Sequence, residues 1–449
     1  MRSVSRLAIG TIQPDSDLRP MLWALLEALR QQAVQVQSFL SRACFSGFLE
    51  QAAVTGVKPR HLDSWLMSPE FCRQSFLRGT ESCDLAVVEG SLAPADAEGI
   101  GASLPTLCQW LDLPRLAVLD VSRLEDCRWP ERPERLDGLL LDRVGSEADF
   151  ARWSTNLETL WGVPVLGALG EAAALRAEIQ AMAAGTPPSA LLCQRLQGQF
   201  VRYGDPQRVL EIAARRSPLG DVSRPLCRRG PSAPRLVVAL AYDRAFNCYF
   251  PDTLEGLESS GATIVDFSPL RHDRLPAGAD VVYFGCGHPE NHAAELSHNH
   301  CMKLALRHHL RRGGRLYAEG GGLAYLCQHL ATPETGLVRM AGIFPAIAWL
   351  ERRPTPARPL EVTLGRATWL GQAGTKLRGY SNPQWRLEPV GRLADCVLEP
   401  DHRFDLVGIA RALGSQLHLN FAALPELLGG LIRGHFHRPH PVDPWSAVP

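Results

Sequence analysis

The sequence predicts an α/β protein made of two doubly wound parallel-sheet domains joined by a linker. Three observations predict it. Short β-rich apolar runs alternate with helix-length segments, the pattern of a parallel sheet covered on both faces. The alternation occurs twice, on either side of a stretch rich in Pro, Gly, Ser and Arg. A chain of 449 residues is also longer than one ordinary core organises, so two cores are expected.

The elements follow in order. "RLAIGTI" reads as the first strand. "LRPMLWALLEALRQQ" is an amphipathic helix with apolar residues at helical spacing. "VQVQSFL" is the next strand. "CDLAVVEGS", "RLAVLDVS", "RLDGLLLDRV" and "VPVLGALG" are short apolar strands separated by helix-length segments, which completes a first domain over residues 1–214. Residues 215–235, "RRSPLGDVSRPLCRRGPSAPR", have no apolar period and read as a linker. A second domain over 236–434 opens with "LVVALAYD", "ATIVDFSPL", "ADVVYFGCG" and "GGRLYAEGGG". After the last of these, "GLAYLCQHL" reads as the start of a helix. The tail, 435–449, is rich in Pro and His and is expected to be poorly ordered.

Composition narrows the functional classes. Hydrophobic residues make up 45% and charged residues 21%, as in soluble globular proteins. The 47 basic and 47 acidic side chains cancel, which argues against a nucleic-acid partner. No apolar run is long enough to span a bilayer. The first twenty residues have no sustained apolar core and no cleavage site. Twelve cysteines without a CxxC pair read as reduced thiols. A cytoplasmic protein with no membrane or nucleic-acid partner is expected.

The chemistry starts at "YAEGGGLAYL", Tyr317 to Leu326. A sharp glycine-crowded turn from strand to helix is how many α/β enzymes present a nucleophile. Here Gly320 stands where a Cys or Ser would be. Three more segments accompany it in order: "YDRAFNCYFPDTLEGLESSGATIVDFSPL", "VVYFGCGHPENHAAELSHN" and "GSQLHLNF". Together they resemble the glutamine-amidotransferase domain of the cobyrinic acid a,c-diamide synthase family, with its Ala-Phe-Asn segment, Gly-Gly-Gly-Tyr-Pro-Glu loop, Tyr-Ala-Glu-Cys-Gly-Gly elbow and late Ser-Tyr-x-His segment. "LDSWLMS" (Leu62 to Ser68) and "DLAVVEGSLAPADAEG" (Asp84 to Gly99) extend the resemblance into the first domain.

The resemblance implies an ATP-dependent synthetase domain fused to an ammonia-supplying domain: an amide-forming C–N ligase acting on peripheral carboxylates of a corrin or related tetrapyrrole. In such an amidotransferase a Cys thiolate attacks glutamine and a His polarises it. Here the Cys position is Gly320, and His418 matches the His. Cys286, in the loop corresponding to the oxyanion loop, is either a substitute nucleophile or a small buried thiol. In the synthetase half the resemblance implies ATP and Mg²⁺ as cofactors. The segment "IGTIQPDSDLRPM" has no further glycine after Gly10-Thr11, and the phosphate-binding Lys falls at Asp17 or Leu18. Leu40 and Cys44 replace a later Lys and Asp. These departures argue against ATP and Mg²⁺ binding in the family's manner.

Several residues line the ATP and substrate site by resemblance: Asp63, Ser64 and Trp65, the acid pair Glu89 and Asp96, and Asp243, Phe246 and Asn247. The plain structural readings stand beside these. Asp63 or Ser64 can be a helix N-cap with Trp65 and Leu66 packing inward; Glu89 and Asp96 can be loop acids; Phe246 can be packing. Histidine is also unevenly placed, with thirteen of fourteen from His272 onward. Cys286, His288, His292, His298 and His300 form a candidate cluster for a metal or haem, set against the alternative of scattered surface side chains.

The sequence thus points first to a non-catalytic relative in cobalamin or other modified-tetrapyrrole metabolism. It would bind a corrinoid or other tetrapyrrole, or pair with an active amidotransferase or a second copy of itself. An active a,c-diamide synthase fed with ammonia from elsewhere is the second reading. A metal- or haem-handling protein using residues 286–309 is the third.

Overall fold

The computed structural model describes residues 4–42, 48–93, 101–124, 129–183, 185–219, 236–351, 357–381 and 384–434. Asp96, Cys44, most of the expected linker and the tail lie outside them. The chain divides into two compact units, Met1–Pro225 and Leu226–Pro449, and each carries a seven-stranded sheet.

The first unit contains strands β1 (Ser5–Thr11), β2 (Val36–Leu40), β3 (Arg60–His61), β4 (Leu85–Ser91), β5 (Arg115–Asp120), β6 (Gly138–Val144) and β7 (Val165–Gly170). They pair in the order β3-β2-β4-β1-β5-β6-β7, every neighbour parallel. β2, β5 and β7 are buried along their whole length, because helices cover both faces of the sheet. The helix Arg19–Gln31 was expected to be amphipathic, yet Pro20 to Leu29 are all buried. It is enclosed because the helix Ala190–Phe200 packs over its outer side. Glu27 tolerates this burial because Arg30 donates to both of its carboxylate oxygens, at 2.8 and 2.7 Å.

"LDSWLMS" does not start a helix. Asp63 Oδ1 accepts from the backbone N–H of Trp65 and of Leu66, both at 2.9 Å, which closes a turn. The helix begins at Pro69, capped by Ser68, whose Oγ accepts from Phe71 N at 3.2 Å. Pro69 sets the start, since its ring suits the first helical turn and restrains the residue before it to extended backbone.

The second unit contains β8 (Val237–Ala241), β9 (Thr263–Phe267), β10 (Val281–Phe284), β11 (Arg315–Glu319), β12 (Cys327–Thr332), β13 (Gly336–Arg339) and β14 (Phe344–Leu350). It continues with β15 (Arg358–Thr363), β16 (Lys376–Ser381), β17 (Trp385–Pro389), β18 (Ala394–Asp395), β19 (Leu406–Ile409), β20 (Ala412–Ser415) and β21 (Leu417–His418). The main sheet runs β18-β19-β20-β11-β10-β8-β9. From β9 to β20 it is parallel, and β19 and β18 close that edge antiparallel. A four-stranded sheet, β13-β12-β14-β17, and a three-stranded one, β15-β16-β21, are added to it.

The helix expected after the glycine turn is short. It covers Gly321–Leu326, and Cys327 onward is strand β12. β12 pairs parallel with β14 and antiparallel with β13. That pairing brings Leu330 into one core with Phe344, Ala346 and Ala348, which a continued helix would not do. β8 connects to β9 on one side of the main sheet, and β10 leads to β11 on the other. The crevice at the C-terminal ends of β8 and β10 is therefore the topological switch point where such sheets place their sites.

Candidate active site

β11 ends at Glu319, and Gly320 turns the chain at φ 47°, ψ −112° into the helix Gly321–Leu326. A residue with a side chain is strained at such dihedrals, and glycine is not. Gly320 N donates to Ser415 O at 2.9 Å, which ties the turn to β20. The loop after β10 presses on it from above. A Cβ on Gly321 would lie 2.4 Å from the Gly287 carbonyl oxygen, and one on Gly322 would lie 2.7 Å from the Phe284 Cβ. The elbow is fully built, without a side chain at its apex.

Behind it stands His418, at the end of β21. Its Nδ1 lies 2.8 Å from Glu319 Oε2. The other oxygen, Glu319 Oε1, accepts from the Tyr317 hydroxyl at 2.9 Å and from Leu419 N at 3.2 Å. The Phe250 ring stacks on the imidazole, 4.2 Å between centroids and 18° from parallel. Two thiols flank it. Cys286 Sγ is 3.6 Å from Nδ1, and Cys248 Sγ is 3.8 Å from Nε2. Cys248 and Cys286 are themselves partners in an isolated antiparallel bridge.

With Nδ1–H donated to Glu319, the ring turns an acceptor nitrogen to Cys248. This gives the order thiol, imidazole, carboxylate that activates a nucleophile. None of its members meets solvent: Glu319, His418, Cys248, Cys286 and Phe250 are all 0% exposed. Burial, reinforced by the charges of Glu319 and Cys248, pushes the Cys286 thiol well above the ordinary range. It is a poor source of thiolate in this setting.

Asp243, Phe246 and Asn247 lie beside this group, with their polar atoms engaged by the protein. Asp243 Oδ1 accepts from Ala245 N and Phe246 N, and Oδ2 accepts from the Ser268 hydroxyl and Leu270 N. Phe246 is buried edge-on against Phe284, with centroids 5.3 Å apart. Asn247 Nδ2 donates to the Arg244 carbonyl at 3.1 Å. The histidine cluster does not converge. His288 pairs with Glu290 at 2.9 Å, His292 with Glu295 at 3.6 Å, and His298 Nδ1 with the Ala294 carbonyl at 2.6 Å. His300 is exposed at the start of another helix. Of the cluster, only Cys286 joins a group with metal-ligand geometry among the described residues, and its companions are Glu319 and His418.

Residues 237–385 match the model of the CobB/CobQ-like glutamine amidotransferase domain. A cobyrinate a,c-diamide synthase of Listeria monocytogenes is 30% identical over 400 residues, spanning 84% of this chain and 86% of its own. The chain belongs to the cobyrinate a,c-diamide synthase family. A synthase of that name from Dehalococcoides mccartyi is 27% identical over 454 residues, spanning 95% and 97% of the two chains. The hydrogenobyrinate a,c-diamide synthase of Streptomyces coelicolor is 28% identical over 477 residues, spanning 94% and 96%.

In the first unit, a fit to ATP and Mg²⁺ would have to come from the loop after β1 and the end of β4. The loop after β1 is closed by its own side chains. Gln13 Nε2 donates to the Asp120 carbonyl at 3.0 Å, and Asp120 N donates to Gln13 Oε1 at 2.7 Å. Asp17 Oδ1 accepts from Arg19 N at 3.0 Å, and Asp17 Oδ2 accepts from the Arg19 guanidinium at 2.8 Å. Arg19 N is a helix N-terminal donor of the kind a phosphate uses, and a carboxylate of the chain has taken it together with the Arg19 guanidinium. No lysine stands in the loop. These residues do not fit a triphosphate in the phosphate-loop manner.

Glu89 sits near the end of β4. Burial, opposed by a hydrogen bond from Gln51 and reinforced by the charge of Glu50, raises its carboxyl to about 8. Its surroundings favour the neutral carboxyl, a weaker Mg²⁺ ligand than the carboxylate. Leu40, buried at the end of β2, brings no charge. Asp63 and Ser64 are both engaged by the protein. Asp63 closes its turn, and Ser64 Oγ accepts from Ser103 N at 2.8 Å.

Sequence reasoning located Gly320, His418 and Cys286 but missed Glu319, Cys248, Phe250 and Tyr317. A signal was present for two of them. Glu319 immediately precedes the elbow, and Cys248 directly follows Asn247 in a segment already singled out.

Proposed function

We propose that this chain is a family member that no longer hydrolyses glutamine or activates a carboxylate with ATP. It serves cobalamin or related tetrapyrrole metabolism by binding the tetrapyrrole or by pairing with an active enzyme or a second copy of itself. The observation that carries the reading is Gly320, a fully formed elbow with no nucleophile on it. Losing a nucleophile from such a site costs on the order of a millionfold in turnover. The nearby thiols offer no replacement, since both are fully buried. The Gln13 and Asp17 contacts support loss of the second half-reaction.

Tetrapyrrole binding is supported by matches over nearly the whole chain to relatives named for cobyrinate and hydrogenobyrinate. A synthase fed with ammonia from another source is the weaker reading. Ammonia can be supplied from elsewhere, but the substrate carboxylate must still be activated. Among the described residues no helix is long and apolar enough to cross a membrane, in keeping with a cytoplasmic role.

The test is glutamate release by the purified protein with and without a corrinoid. The proposal expects no release above a heat-killed control. Sustained turnover at the 1–10³ s⁻¹ scale of ordinary enzymes would overturn it.

A further inference from the structure

We propose that Cys286, Glu319 and His418 form a buried site for a zinc-class divalent cation. One ligand atom from each side chain lies within 4.8 Å of the others. A tetrahedral zinc centre has Zn–S of about 2.3 Å and Zn–N of about 2.0–2.1 Å, which puts sulfur and nitrogen roughly 3.6 Å apart. Cys286 Sγ and His418 Nδ1 are 3.6 Å apart. The 2.8 Å contact between His418 Nδ1 and Glu319 Oε2 must open by about half an ångström to admit the ion.

The charges also match. One thiolate, one carboxylate and a neutral imidazole balance a divalent cation, so the buried group is neutral overall. Thiolate and imidazole select zinc or cobalt over magnesium or calcium.

The surroundings hold each ligand in place. The Tyr317 hydroxyl and Leu419 N occupy Glu319 Oε1 and leave Oε2 toward the site. Phe250 lies flat on the imidazole, and Cys248 Sγ faces Nε2, which fixes Nδ1 toward Cys286. Outer-shell partners of this kind orient first ligands in known metal sites. The Tyr283 ring packs in the same layer, 5.3 Å from that of Tyr317. Its buried hydroxyl has no partner among the described residues, so it can serve a water in the fourth position. The inference goes beyond the proposed function and does not depend on whether a tetrapyrrole binds. It gives Glu319 and His418 a role that needs no thiol at the elbow.

Because the site is closed, the ion must enter as the chain folds. The full chain is therefore unfolded under reducing conditions, refolded with Zn²⁺ or Co²⁺, passed through a chelating column and analysed for metal. The proposal expects about one ion per chain, and a sulfur-to-cobalt charge-transfer band in the cobalt form. It expects Cys286→Ala and Glu319→Gln to retain about tenfold less metal or lower still. Cys301→Ala and His292→Gln should match the wild type. Should Cys286→Ala fail to refold, as judged by circular dichroism, the wild-type cobalt spectrum decides. A refolded wild type without metal, a cobalt form without the sulfur band, or equal retention in a folded Cys286→Ala would overturn the proposal. So would an intact mass showing Cys248 and Cys286 joined as a disulfide in the refolded chain.

Discussion

Gly320 and Cys286 are best understood as a pair. The resembling family carries Cys at the elbow and Gly in the loop above it; this chain carries Gly at the elbow and Cys in the loop. Cys286 Sγ already lies 3.6 Å from His418 Nδ1, so a thiol restored at the elbow is expected to compete with it for the space in front of the imidazole. Gly320→Cys alone places a Cβ on a backbone of φ 47°, at a cost of about 1–3 kcal/mol. A lower urea midpoint would show it. Glutamine hydrolysis is expected from Gly320→Cys combined with Cys286→Gly before it is seen from Gly320→Cys alone. Equal activity of the two variants in a glutamate assay would mean that Cys286 does not crowd the site.

Glu89 gives a pH prediction at the same scale. Its folded value of about 8 lies above its ordinary 4.5, so the folded chain holds an extra proton between them. The stability associated with Glu89 is full below about 4.5 and is lost as the pH rises through about 8. Glu89→Gln should therefore show a flatter fall in stability between pH 5 and pH 9 than the wild type. Parallel profiles from denaturant unfolding would contradict the assignment.

At the scale of elements, glycine positions discriminate packing from freedom. A Cβ on Gly287 would sit 2.1 Å from the Ala245 carbonyl oxygen, where the loops after β8 and β10 meet. Gly287→Ala should cost about 1–3 kcal/mol. Gly198 lies inside the helix Ala190–Phe200 with nothing within 4 Å of such a Cβ, so Gly198→Ala should gain about 0.5–1 kcal/mol. Thermal unfolding of the two variants reads both signs, and opposite shifts are the expected result.

The same contrast explains what was legible in the sequence. β5, β6 and β7 lie under helices on both faces, so their residues form continuous apolar runs that stand out. β15 and β16 do not. Their exposed sides are held by pairs such as Glu361 with Lys376 at 2.9 Å and with Arg378 at 2.7 Å, and such pairs leave no periodic trace. β12 was hidden because six glycine-led helical residues run into it without a breaker. In the site, Gly320 and His418 were readable from motifs. The Glu319–His418 contact joins residues 99 positions apart, and the Cys248–His418 contact joins residues 170 apart. Only the assembled sheet brings those side chains together.

At the scale of the whole molecule, two α/β units are present, and in each the residues at the expected site are engaged by internal contacts. In the first, Asp17 takes the helix N-terminus and Gln13 closes the loop over Asp120. In the second, the elbow has no side chain and its imidazole is walled in. Calorimetry with ATP–Mg²⁺ should accordingly show no micromolar binding to the intact chain; a clear micromolar isotherm would contradict the reading of the first unit.

The proposed function, in its tetrapyrrole-binding form, is that the ligand is bound and left unamidated. It is tested most directly by incubating the intact protein with cobyrinic acid, ATP–Mg²⁺ and glutamine, then taking a mass spectrum of the corrinoid that co-elutes with the protein. The unmodified acid is predicted. An a,c-diamide, or no co-eluting corrinoid at all, would contradict it.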